Sequence, residues 1–128
     1  MKKQISLFVF FLLFLPTVLL YSQQKEALTG CYTNLEYLKE TGDVVGIEIT
    51  IVFSTDGTNN QYYALVQEAH GKPNPPFLVK LETSKEGISF TNPAGKIFKG
   101  KITKKELTGK YDGTDETLKL KRKKSYWQ

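Results

Sequence analysis

One cysteine, one histidine and one tryptophan are spread over 128 residues, and each scarcity closes a class of explanation. With Cys31 alone, no intrachain disulfide can form, so the fold must be held by its core. With His70 alone, a zinc site of three or four convergent ligands has too few donors. His70 stands before Gly71-Lys72-Pro73, two residues after Glu68, and reads as a solvated loop histidine. Ser54, Ser84 and Ser89 have no histidine and carboxylate around them to activate a nucleophile. Asp56-X-Thr58-Asn59 and Asp112-Gly113-X-Asp115-Glu116 lack the regular spacing of a calcium loop and read as hairpin turns. No stretch repeats its apolar residues at helical spacing over three turns. No cofactor or metal is called for, and an enzymatic function is not expected.

The one long apolar run lies at the start. Lys2-Lys3 precedes an almost wholly apolar stretch from Ile5 to Leu20, and Tyr21-Ser22-Gln23-Gln24 turns polar. This is the order of a secretory signal peptide, with the cut expected after Ser22. Leu28-Thr29-Gly30-Cys31 resembles a bacterial lipobox, but Gln23-Gln24-Lys25-Glu26 separates it from the apolar run. An exported protein, periplasmic or secreted, is therefore expected, with a lipid anchor at Cys31 as the lesser alternative. Residues 1–22 are then a leader, 23–29 a lead-in, and 30–128 a single domain with a basic C-terminal tail.

The rest of the chain alternates with period 2, the period of a strand with one buried face. Ile47, Ile49, Ile51 and Phe53 alternate with Glu48, Thr50 and Val52, so Glu48 is expected in solvent, where a charge change matters little. Residues 30–38 read as one first strand. Residues 61–68 form a third, in which Tyr63 and Leu65 oppose Tyr62, Ala64 and Val66 and either face could be inward. Residues 69–76, with Pro73, Pro75 and Pro76, read as the longest loop. Phe77, Val79 and Leu81 mark a fourth strand, Ile88 and Phe90 a fifth. Phe98-X-Gly100-X-Ile102, Leu107-X-Gly109-X-Tyr111 and Leu118-X-Leu120 then form a meander with lysines on its other side. Eight short antiparallel strands in sequence order close most simply as an up-and-down barrel, which removes exposed edges. A two-sheet sandwich is the alternative.

Gly30-X-Tyr32-X-Asn34 resembles the Gly-X-aromatic-X-Asn first-strand signature of the lipocalin and avidin-like (calycin) barrels. Phe98-X-Gly100-X-Ile102, Leu107-X-Gly109-X-Tyr111 and Leu118-X-Leu120-X-Arg122 resemble their closing hairpins. The resemblance implies that Arg122 packs across Tyr32 and closes one barrel end, a cation–π contact of about 0.5–2 kcal/mol. It implies an eight-stranded barrel that holds a small apolar ligand. Tyr32 stands where the family usually has tryptophan, and the tryptophans of an avidin biotin site are absent, so biotin is not carried over.

Charge is divided unevenly. Residues 23–95 carry a net −4 and residues 96–128 a net +7. By alternation Lys99, Lys101, Lys110, Lys119 and Lys121 all face outward, which suits weak contact with an anionic membrane or an acidic glycan. An exported chain gives no reason to expect nucleic acid. Two functions follow. The first is a binding module for a small apolar or amphipathic ligand, with Tyr37, Phe53, Tyr63, Phe77 and Phe90 as lining candidates. The second is an envelope accessory or inhibitor protein acting through residues 69–76 or the cationic face.

Overall fold

Nine strands run in chain order: β1 (Gly30–Thr33), β2 (Glu36–Leu38), β3 (Asp43–Thr55), β4 (Asn60–Gly71), β5 (Phe77–Ser84), β6 (Gly87–Thr91), β7 (Ile97–Ile102), β8 (Glu106–Tyr111) and β9 (Leu118–Arg122). The computed structural model describes residues 28–55 and 57–128. The expected leader and its boundary at Ser22 lie outside the described residues, as does Asp56. From β2 to β9 each strand pairs antiparallel with the next, and β1 pairs with both β3 and β9. Eight strands thus close into a barrel, and β2 is an extra piece on β3.

The expected single first strand is two strands, and Asn34 is the reason. β1 and β2 both pair with β3 in one continuous register, from Gly30 opposite Ile51 to Leu38 opposite Asp43. Between them, the Asn34 N–H donates to the Ile47 carbonyl at 3.1 Å, while the Asn34 side-chain oxygen accepts the Ile47 N–H at 2.8 Å. A side chain has replaced a carbonyl in the ladder, which interrupts the strand without losing the bonds. The exchange requires glycine next to Ile47, the residue opposite Asn34. Gly46 has φ +114°, and a Cβ there would lie 2.7 Å from both Asn34 oxygens.

Inside the barrel, Tyr32, Ile49, Ala64, Val66, Phe98, Leu107 and Leu120 are wholly buried, with Ile51 and Leu81 nearly so. The undecided third strand is resolved by its partners. Ala64 and Val66 join the core, whereas Tyr63 stands opposite Val52 and Lys80, and Leu65 opposite Leu78, on the outer face. Large side chains are admitted by small ones. Gly100 stands opposite Gly109, and a Cβ on Gly109 would come 2.5 Å from the Phe98 ring. Phe98 stacks on Phe90 at 4.9 Å, and Tyr111 meets both rings edge-on. Side chains rather than ligand space occupy the middle of the barrel, as a barrel of this strand number permits.

Two further expectations are corrected. β4 continues to Gly71 because Val44, Val45 and Gly46 pair with it. The loop expected over residues 69–76 shrinks to 72–76, is tied by an Ala69–Pro73 bridge and is no longer the longest connection; residues 112–117 are. Glu48 is not in solvent. It is 6% exposed, because the tail that follows β9 folds over it. Ser125 Oγ donates to Glu48 Oε1 at 2.6 Å and the Tyr126 N–H to Oε2 at 2.8 Å. The Lys123 N–H reaches the Cys31 carbonyl, and Trp127 Nε1 donates to Gln67 Oε1 at 2.7 Å. The basic tail is a strap across the outside of β1, β3 and β4.

Candidate functional site

The two barrel ends differ. At one, Arg122 stands opposite Tyr32 in the β1–β9 ladder, its guanidinium carbon 5.0 Å from the ring centroid. Arg122 Nη2 donates to the Tyr32 hydroxyl, which donates in turn to the Leu28 carbonyl at 3.0 Å. Burial pushes the Tyr32 phenol upward, and Arg122 pulls it partly back. This end is stoppered by side chains.

At the other end, where β4 meets β5, β6 meets β7 and β8 meets β9, a cleft of about 410 Å³ opens. Val45, Ile47 and Leu118 supply an apolar wall; Glu68, Asn92, Lys96, Tyr111 and Thr114 supply a polar one. The polar wall is prearranged. The Tyr111 hydroxyl donates to Glu68 Oε1 at 2.9 Å, across 43 residues of sequence. His70 Nε2 lies 3.7 Å from the other Glu68 oxygen, with the imidazole largely in solvent. Asn92 Oδ1 accepts the Lys96 N–H and the Asn92 N–H donates to the Lys96 carbonyl, both at 2.9 Å, fixing the turn that carries both residues. Thr114 Oγ1 donates to the Tyr111 carbonyl at 2.8 Å and holds the β8 end of the cleft.

Burial drives the Tyr111 phenol far above its ordinary value, and the Glu68 carboxylate, by charge and by hydrogen bond, adds to the rise. A hydrogen bond to Asn92 opposes it weakly. Tyr111 is therefore a neutral hydroxyl at any physiological pH, with its proton committed to Glu68. The site presents a half-buried carboxylate as acceptor beside an apolar wall. Among the described residues, no three His, Cys, Asp or Glu side chains converge to hold a metal ion. Cys31 sits in β1, half-buried, its thiol raised chiefly by burial.

The five aromatic lining candidates are not brought together. Tyr37 is 53% exposed on β2, and Tyr63 faces outward. Phe53 lies beyond the stoppered end, 37% exposed against Tyr62 at 5.0 Å. Phe77 packs on the core edge opposite Val66, and Phe90 is inside it. The alternation identified strands but not their ends, and Phe53 belongs to a stretch of β3 that outruns the barrel. Glu68 and Tyr111 were missed, although each continues an inward series, Ala64-Val66-Glu68 and Leu107-Gly109-Tyr111. Two polar groups on buried positions of facing strands were the available signal. The outward lysines share one face: Lys99 stands opposite Lys110, Lys101 opposite Thr108, Thr108 opposite Lys119, and Glu106 opposite Lys121.

Fold and site together define a small closed antiparallel barrel, stoppered at one end and open at the other. No protein-family model matches the chain, and searches of curated proteins and of solved structures return no match.

Proposed function

We propose that this chain is an exported, lipocalin-like binding module without catalytic activity, and that it holds a small amphipathic ligand at its open end. The observation that carries the reading is the cleft of about 410 Å³, within the range of about 300–1,000 Å³ typical of small-molecule sites. Its two walls suit a ligand with an apolar body and a head group bearing hydrogen-bond donors. The body lies on Val45, Ile47 and Leu118, and the head meets Glu68, whose orientation Tyr111 fixes. The ligand seats at the mouth, because Phe90, Phe98 and Tyr111 fill the space below.

Export accords with the order of residues at the start of the chain. Acylation at Cys31 fits the fold less well than cleavage after Ser22. It would remove Leu28, whose carbonyl accepts the Tyr32 hydroxyl, and Gly30, which pairs with Ile51.

The test is native mass spectrometry of protein recovered from its own host's envelope or medium. Wild type is expected to carry one small adduct. Val45→Trp, which fills the apolar wall, and Glu68→Gln, which removes the charged acceptor, are expected to lose it while melting as folded proteins. Adduct-free wild type, or an adduct unaffected by both variants, rejects the reading.

A further inference from the structure

We propose a second binding site, for a linear acidic polysaccharide, in a groove on the outer face of β6, β7 and β8. It is separate from the open-end cleft and does not depend on the function proposed for that cleft. The groove has a volume of about 820 Å³ and runs between the β5–β6 turn and the β7–β8 ladder. Lys85, Lys99, Lys101 and Lys110 line it against a single carboxylate, Glu86 in the β5–β6 turn, with hydroxyls from Ser89, Thr108 and others between them.

The register arranges these groups in two parallel rows. One crosses Ser89, Lys99 and Lys110; the other crosses Lys101 and Thr108 and runs on to Lys119, beyond the groove. Adjacent members of a row are about 4.8 Å apart at the backbone, and the rows about 6.8 Å. Amines and hydroxyls therefore lie side by side on the repeat of a sheet, which suits a chain whose successive sugars present carboxylates beside hydroxyl groups.

Lys99 directly opposite Lys110 is a costly choice. Like charges on facing positions destabilise a sheet, and an exposed position accepts almost any residue. Asp112 relieves Lys99 at 3.4 Å. Among the described residues, Lys85, Lys101 and Lys110 form no salt bridge. A bound polyanion supplies the missing counter-charge.

Two other polyanions fit less well. A membrane surface is convex or flat to a protein this small, whereas the lysines line a concavity. Of the exposed large apolar side chains that would anchor a bilayer, Leu65, Leu78 and Trp127 lie on other faces, and only Ile97 shares the outer face of β7. Single-stranded nucleic acid needs aromatic stacking platforms, and no aromatic side chain lines the groove.

The test measures binding of the purified protein to oligogalacturonate by calorimetry at low salt. Uncharged dextran of equal length and phosphatidylglycerol vesicles run beside it. The variant Lys99→Gln/Lys101→Gln/Lys110→Gln is compared with Lys104→Gln/Lys105→Gln/Lys124→Gln, which loses the same charge away from the groove. The groove variant is expected to lose roughly tenfold or more in affinity, the control far less, and dextran should not bind. Because the groove variant removes the Lys99–Lys110 repulsion, its melting temperature should match or exceed wild type. The single variant Lys110→Gln repeats the comparison with the least change to the fold. Equal losses in both triple variants, no binding to oligogalacturonate, or tighter binding to the vesicles overturns the proposal.

Discussion

Replacing Glu48 by lysine tests the strap most directly. The carboxylate is 6% exposed and receives Ser125 Oγ at 2.6 Å and the Tyr126 N–H at 2.8 Å. Two limits bound the cost. If the strap stays docked, an ammonium faces two donors in a buried site, and breaking such a charged arrangement costs about 3–5 kcal/mol. If the strap lifts, the ammonium reaches water and the cost falls to the four hydrogen bonds that hold the strap, offset in part by the chain entropy of the freed residues, about 2–3 kcal/mol in all. The cheaper route wins, so Glu48→Lys should release residues 123–127 and destabilise by about 2–3 kcal/mol. For a domain of this size that lowers the melting temperature by roughly 10–20 °C. The assay has a built-in reporter. Trp127 is the only tryptophan, and its indole is held by Gln67. Strap release should shift its emission to the red at temperatures where the barrel's circular dichroism is unchanged. Glu48→Gln keeps an acceptor and should lose only about 1 kcal/mol. A Glu48→Lys variant that melts with wild type and keeps its emission would refute the reasoning.

Three other outcomes are expected. Gly46→Ala brings a Cβ 2.7 Å from Asn34 oxygens at φ +114°, and should cost at least about 2 kcal/mol in chemical denaturation. Ile49→Asp puts a carboxylate at a fully buried position and should leave the domain unfolded by circular dichroism at room temperature. Tyr111→Phe should cost about 1 kcal/mol at pH 7, and the gap to wild type should narrow as pH rises above 10. Tyr111 holds its proton more tightly folded than unfolded, so its contribution is complete below the unfolded value of 10.0 and declines above it. Denaturation curves at pH 8 and pH 11 check the sign, and a gap that widens contradicts it.

What the sequence disclosed follows the range of each interaction. The inward run Ile47, Ile49, Ile51 and the meander from Phe98 to Leu120 are local patterns, and alternation is enough to read them. The barrel follows from counting such segments and their turns. Glu48 shows where this stops. Its alternation is that of an exposed residue, and its burial comes from Ser125 and Tyr126, 77 and 78 residues away. Asn34 hides for a different reason: a side chain that imitates a carbonyl leaves no trace in hydropathy. The Glu68–Tyr111 pair was half legible, because parity put both residues inside but did not say that they meet. Tyr37 and Phe53 show that an aromatic residue in a strand is not thereby in a core.

The order of the sheet also governs the route by which the chain reaches it. Most ladders join consecutive strands, β1 reaches β3 past the short β2, and among the described residues only β1 with β9 brings distant segments together. Closing a loop of about 90 residues costs about 2 kcal/mol more in chain entropy than closing one of about 10. The hairpins are therefore expected to form first, led by β3 and β4 with the longest ladder. Joining Tyr32 to Arg122 is the late step that turns an open sheet with two sticky edges into a closed one. Until that step the intermediate can recruit other chains. The stopper at the barrel's end is thus a kinetic safeguard: substitutions there should raise aggregation during refolding more than they lower equilibrium stability.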